Sequence, residues 1–213
     1  MILAGLFAGA LFLGLILGDW LYFVRLTPDA VRYGCRIART VDRFSLQSLT
    51  WLEARVDGDG AMTLPHGIAR YYPDLRQIAI RPQYHLFSMG FRTAWPLKGL
   101  IHLTPDQHTV HALCIKRLPW SSAIITLMWF LLVGAGTAAF MITYGVEGGL
   151  NTLSGVLMGA GILGIGLLVL AFGVVTVILS YRLENSRLAQ VYDELKAALE
   201  ETPPTGSGRE GSR

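Results

Sequence analysis

No lysine or arginine precedes Arg25, and none lies between Arg117 and Arg182. Across residues 1–24 and 118–181, Asp19 and Glu147 are the sole acidic side chains. Charged residues make up 15% of the 213-residue chain, against about a quarter in a soluble domain. The shortfall is concentrated in three stretches: Met1–Val24, Trp120–Tyr144 and Leu153–Ser180. Each reaches the roughly 20 apolar residues that cross a hydrocarbon core, and as a helix each satisfies its own backbone in lipid. Such stretches have no place on the surface of a water-soluble fold.

Other absences narrow the function. No His, Lys, Arg or Glu falls at mid-membrane depth, and transport paths and proton relays usually need such groups, so a self-sufficient transporter is not expected. A cleaved signal peptide needs a basic segment before its apolar run and a small-residue cleavage site. The first stretch has neither and ends in bulky Trp20, Tyr22 and Phe23, so it is expected to remain as an anchor. The chain lacks G-x-G-x-x-G, a phosphate loop, H-E-x-x-H and G-x-S-x-G. "DGDG" at Asp57–Gly60 opens like a calcium loop but lacks the later oxygen ligands and closing glutamate, and reads as a hairpin turn. His66 and His85 have no ligand partners close in sequence. No catalytic residue and no cofactor is expected.

What is present is an asymmetric distribution of positive charge. Of the 18 Lys and Arg, 13 lie between Arg25 and Arg117 and five from Arg182 onward. The positive-inside rule puts both regions in the cytoplasm and leaves the N-terminus and residues 145–152 outside. Trp20, Trp120 and Tyr181 then fall at the inner membrane interface, beside Arg25, Lys116, Arg117 and Arg182. The two cysteines, Cys35 and Cys114, are expected as reduced thiols. The expected location is a cell membrane of the bacterial inner-membrane kind, with a multi-pass topology.

The expected fold is an α+β integral membrane protein with three transmembrane helices and a small antiparallel β-rich cytoplasmic domain between the first and second. Its parts are a first span at 1–24, the domain at 25–118, a second span at 119–144, an outside loop at 145–152 and a third span at 153–180. A helix over 181–201 continues the third span, and 202–213 has the composition of a disordered tail. In the helix, Leu188, Val191, Leu195 and Ala198 recur at 3,4 spacing, suited to a short coiled coil or to docking on the protein's own sheet. Within the domain, Thr27-Pro28-Asp29 starts a helix. Val31, Cys35 and Ala38, opposite Arg32, Arg36, Arg39 and Arg43, predict one or two amphipathic helices over about 28–50. Residues 51–117 predict a sheet of four to six strands, drawn from "TWLEARV", "LRQIAIR", "YHLFSMGFR" and "KGLIHL" between turn signals.

Small residues recur on two spans: Ala10, Gly14 and Gly18 on the first, and Gly155, Gly159, Gly166 and Gly173 on the third. Such spacings let helix backbones approach closely. They are expected to pack either against partner helices or within the protein. At the membrane edge, Asp19 reads as a hydrated carboxylate or a partner for Arg25.

"IHLTPDQHTVHALCIKR" sets His102, His108, His111 and Cys114 close together. As a helix, residues 104–117 would put several of them on one face. As a hairpin turning at Thr104–Gln107, with Leu103 opposite His108 and His102 opposite Thr109, they divide. His102 and His111 then share one face, and His108 and Cys114 the other. A tetrahedral metal site needs three or four ligands together. The hairpin is preferred, so no metal is expected, and His102, His111 and Cys114 remain as the candidates if one binds.

The domain holds 11 Arg and 2 Lys against seven acids. The arginines are dispersed, and the domain is tethered at both ends, which suits anionic headgroups at the cytoplasmic face rather than nucleic acid. The leading expectation is a non-catalytic accessory, assembly or scaffold subunit of a larger membrane complex. It would associate with other membrane subunits or with itself. The alternative is a membrane-surface sensor or regulator whose Arg-rich domain binds anionic lipid or a small ligand. A metal- or thiol-dependent membrane enzyme is third. No small-molecule substrate is identified.

Overall fold

The computed structural model describes residues 2–45, 56, 58–83, 93, 95–106 and 109–200. The strand expectations on 50–55 and 84–92, His85, His108 and the tail at 202–213 lie outside the described residues.

Three helices are long and apolar enough to cross a membrane: α1 (Ile2–Val24), α3 (Trp120–Val146) and α4 (Leu153–Glu200). A one-turn helix, α2 (Pro28–Val31), follows Thr27, with Pro28 pre-set for the first helical position. Between α2 and α3 lies one antiparallel sheet. Its strands are β1 (Cys35–Ser45), β2 (Ala61–Leu64), β3 (Gly67–Tyr72), β4 (Gln77–Pro82), β5 (Lys98–Pro105) and β6 (Thr109–Leu118). They lie in the order β1-β6-β5-β4-β3-β2. Strands β2 to β6 form a meander, and β1 returns beside β6, so the first and last strands of the domain pair.

The amphipathic helix expected over about 28–50 is corrected. It stops at Val31, and Cys35–Ser45 form edge strand β1. The cause is a β-bulge at Ile37, where the register with β6 slips between Arg36 and Ala38. A bulge adds one residue to one strand, so Arg36 and Arg39 come to share a face although three positions apart. Arg43 follows two strand steps after Arg39. A spacing of three and then four imitates a helix, while Ile37, Thr40 and Val41 supply the β-branched residues a strand prefers. Gly34 makes the turn into β1 at φ +110°, where a Cβ would lie 2.7 Å from the Leu118 carbonyl oxygen and 2.9 Å from the Phe23 ring.

The hairpin reading of residues 104–117 holds with a different register. Leu103 lies opposite Ala112 and His102 opposite Leu113, while Thr104 faces His111. The turn sits further along than Thr104–Gln107, with the Asp106 amide donating to the Thr109 carbonyl at 2.7 Å. The shift is an even number of residues, so the allocation of side chains to faces is unchanged.

One face of the sheet carries Phe44, Leu64, Ala69, Tyr71, Ile78, Ile80, Ile101, Leu103, Val110, Ala112 and Cys114. The second half of α4 lies across it, burying Leu188, Val191, Leu195 and Leu199. The 3,4 spacing thus serves docking on the protein's own sheet. A Cβ on Gly67 would lie 2.5 Å from Val191, so the helix passes close to β3. Polar contacts fix the helix at the sheet margins. Asp42 accepts from Tyr192 and Lys196, both at 3.2 Å; Glu194 accepts from the His66 amide at 3.0 Å; Lys116 donates to Asn185 at 2.6 Å.

The first half of α4 runs antiparallel to α3. Gly155, Gly159, Gly166 and Gly173 are buried there, and a Cβ on Gly166 would lie 2.6 Å from Thr137, while one on Gly173 would strike Trp129. On α1, Gly14 and Gly18 have no atom within 4 Å of a Cβ position. The helix meets α3 mainly near its end. There Asp19 accepts from the Ser121 amide at 2.9 Å, from the Ser121 hydroxyl and from Tyr33, and Trp20 Nε1 donates to Ser122 at 3.4 Å. Pro119, the residue before α3, offers no side-chain cap. Asp19 supplies one from another helix, with its negative charge at the positive end of the α3 dipole. The expectation of a hydrated carboxylate or an Arg25 partner is corrected accordingly.

Candidate functional site

The second sheet face is built from the alternate residues of the same strands. Strand register places Arg36 beside Arg117 and Arg117 beside Lys98, a row of three cations across β1, β6 and β5. Like charges directly opposite one another destabilise a sheet, so each needs compensation. Lys98, 2% exposed, donates to the carbonyls of Phe23 (3.1 Å) and Ala30, and sits 4.3 Å from the centre of the Phe23 ring. These are the closing carbonyls of α1 and α2, where a cation also meets the negative ends of the helix dipoles. Burial outweighs these contacts and pushes the Lys98 ammonium down to about 7, helped by Arg117 and opposed by Asp19. Arg117, 5% exposed, donates to the carbonyls of Arg32 and of Gly34 (3.1 Å), and burial lowers its pKa, with Arg36 and Arg32 adding repulsion. These two cations fasten the sheet to the segment leading out of α1. Leu26, Val31, Tyr72, Ala79 and Leu100 form a small apolar cluster beneath that segment.

Beyond this clamp the face is open and positive. Arg25, Arg32, Arg36, Arg39 and Arg43 form no ion pair among the described residues. His102 is half-buried with Nδ1 3.2 Å from Gln77 Nε2. Its pKa is lowered first by burial and then by Arg32, Arg117 and Arg36. On this face the buried polar atoms Arg117 Nε and Gln77 Oε1 have no hydrogen-bond partner. Toward the β2 edge, Arg25, Arg70 and Arg81 line a hollow of about 350 Å³ with Val24, Leu26, Ala61 and Ile68. Arg70 donates to the carbonyls of Asp59 (3.1 Å) and Leu26 (3.3 Å).

The metal candidates separate. Strand register places His102 and His111 diagonally on the positive face and Cys114 on the face beneath α4. His111 lies 3.7 Å from Asp106. Burial pushes the Cys114 thiol up to about 11, which opposes the thiolate that both metal ligation and nucleophilic chemistry require. No group of three or more His, Cys, Asp or Glu able to hold a metal occurs among the described residues.

Trp120 opens α3, level with Trp20 through the Ser122 hydrogen bond. On α4, residues 166 and 173 meet α3 residues 137 and 130, a register that carries Tyr181 to the level of Ser122, with Arg182 following. Lys116 points to α4 and is separated from the open arginines by the thickness of the sheet. Lys98, Gln77, Arg70 and Arg81 escaped the sequence reading. Strand alternation through "LKGLIHL" is the signal that joins Lys98 to His102.

Comparison with protein-family models, with curated proteins and with solved structures finds no match.

Proposed function

We propose that the protein is a non-catalytic, multi-pass membrane protein that acts as an accessory or assembly subunit, with α1 as its contact to partner helices. The observation that carries this reading is the unequal use of the two small-residue series. Gly166 and Gly173 of α4 are filled by Thr137 and Trp129 of α3, and Gly159 meets Met141 and Tyr144, whereas Gly14 and Gly18 of α1 meet nothing within 4 Å. In lipid, helix association depends on close packing at such positions. The α3–α4 contact closes over Gly159, Gly166 and Gly173, and α1 is fastened at its last turns, where Asp19 and Trp20 reach α3 and Lys98 reaches the Phe23 carbonyl. With the basic domain inside, α1 runs from outside to inside and its open face spans the bilayer. Purification from native membranes in mild detergent tests the reading. The expected product is a stoichiometric complex that Gly14→Ile with Gly18→Ile disperses; a lone monomer in the unmodified protein rejects it.

A second reading is supported by the open arginines: the domain rests on the anionic inner leaflet and responds to it. The arginines of β1 share a face with the segment joining the sheet to α1, which suits contact with headgroups. Vesicle binding that is independent of anionic lipid and of salt would remove this reading.

A further inference from the structure

We propose that Arg32, Arg36 and Arg117 form a discrete site for a phosphate-class oxyanion, supplied by the phosphodiester of an anionic phospholipid headgroup. The proposal rests on the second reading above, that this face meets the inner leaflet.

Three independent features converge on these residues. The first is the bulge at Ile37. Without that extra residue, regular alternation would put Arg36 and Arg39 on opposite faces; with it, Arg36 lies abreast of buried Arg117 on the open face. The second is uncompensated charge. Lys98 is satisfied by carbonyls and a ring, and Arg117 in part by two carbonyls. The Arg32 and Arg36 side chains have no partner among the described residues. Asp42 is held beneath α4, and Asp19 is occupied by Ser121 and Tyr33, so neither neutralises the cluster. The third is a buried orphan donor, Arg117 Nε, which leaves donor capacity unused beside Arg36.

A tetrahedral oxyanion matches this set. Guanidinium groups present paired N–H donors that fit phosphate oxygens, and they tolerate partial burial better than an ammonium does. The exposed Arg32 and Arg36 supply the donors that reach the ligand, and the buried charge of Arg117 abreast of Arg36 adds attraction. The anion also relieves the repulsion felt by His102. The cluster lies at the foot of α1, where a lipid phosphate sits when α1 spans the bilayer.

The test uses the full chain in an uncharged detergent. Short-chain phosphatidylglycerol, short-chain phosphatidylcholine and inorganic phosphate are titrated separately, with binding read by native mass spectrometry and calorimetry. Arg32→Gln and Arg36→Gln are expected to weaken phosphatidylglycerol binding by about tenfold or more each, as loss of a charge-assisted hydrogen bond implies. Arg43→Gln, on the same strand and face, is expected to change it less than about twofold. Binding of phosphatidylglycerol but not inorganic phosphate assigns the headgroup as source. Inorganic phosphate binding with the same Arg36 dependence supports the site with a soluble ligand and rejects the headgroup. Equal losses in all three variants mean diffuse surface attraction and overturn the site, as does binding unchanged by Arg36→Gln. If phosphate binds through Arg36 but the chain partitions away from lipid bilayers, the membrane reading fails and the anion site stands.

Discussion

The two faces of the sheet are made from alternate residues of the same strands, and they are held in opposite ways. Beneath α4, side chains from β1 to β6 and one helix stripe exclude water over a continuous apolar surface. On the other face, two buried cations grip backbone carbonyls at the end of α1 and in the segment after it, above a five-residue apolar cluster. The difference separates stability from readiness to bind. Apolar burial is non-directional and additive over area, so the helix face needs no partner beyond α4. Buried charge is costly unless fully paired. The cationic face has orphan polar atoms and open arginines beside it, and is the face whose charge the described residues leave uncompensated.

The largest break in this comparison is on the helix face. Leu195 is fully buried against the sheet, and Leu195→Ala is expected to cost about 2–5 kcal/mol, measured by chemical denaturation of the sheet domain in detergent. A loss below about 1 kcal/mol would show that α4 contributes little to the domain. The next effect concerns Lys98. Its folded value of about 7 lies below its ordinary 10.5, so between these values the unfolded chain carries a proton that the folded chain lacks. Stability therefore rises from pH 7 toward pH 9, by no more than about 1.4 kcal/mol per pH unit. The raised values of Tyr33, Tyr192 and Cys114 oppose this only above about pH 9. Lys98→Met should flatten the rise; a rise of the same slope in that variant assigns it elsewhere.

Asp19→Ala removes the cap that α1 provides to α3 and should cost about 1 kcal/mol. Protease or thiol-labelling access to the segment around Tyr33 should increase with it, whereas unchanged access would show that the cap does not hold α1. Arg43→Gln is the smallest perturbation. The side chain is exposed and forms no ion pair among the described residues, so thermal stability should change by less than about 0.5 kcal/mol. A larger loss would mean that the open face contributes to folding.

Much of this architecture was legible before any coordinates. Residues 120–144 and 153–180 announce long apolar helices because no charge interrupts them, and "HLTPDQHTV" announces a turn because Pro105 and Asp106 interrupt alternating residues. The stretch from Val31 to Arg43 misled because a bulge and a strand step together reproduce helical spacing. The cationic cluster was only half visible. Arg32, Arg36 and Arg117 stand out as basic residues, but 81 positions separate Arg36 from Arg117, and no local pattern says that β1 returns to pair with β6.

The sequence by itself determined which segments are apolar helices, that a β-rich basic segment separates the first from the second, and that the end of the third carries a docking stripe. These follow from periodicity and composition, which act over a few neighbouring residues. The tertiary structure alone decided that α4 docks on the protein's own sheet, that α3 fills Gly166 and Gly173 of α4 while the α1 glycines stay open, and that Arg36, Arg117 and Lys98 stand abreast. Those outcomes depend on contacts between residues far apart in the chain. There strand register, one extra residue at Ile37 and the packing of whole helices set the partners, and intrinsic propensity has no influence on them.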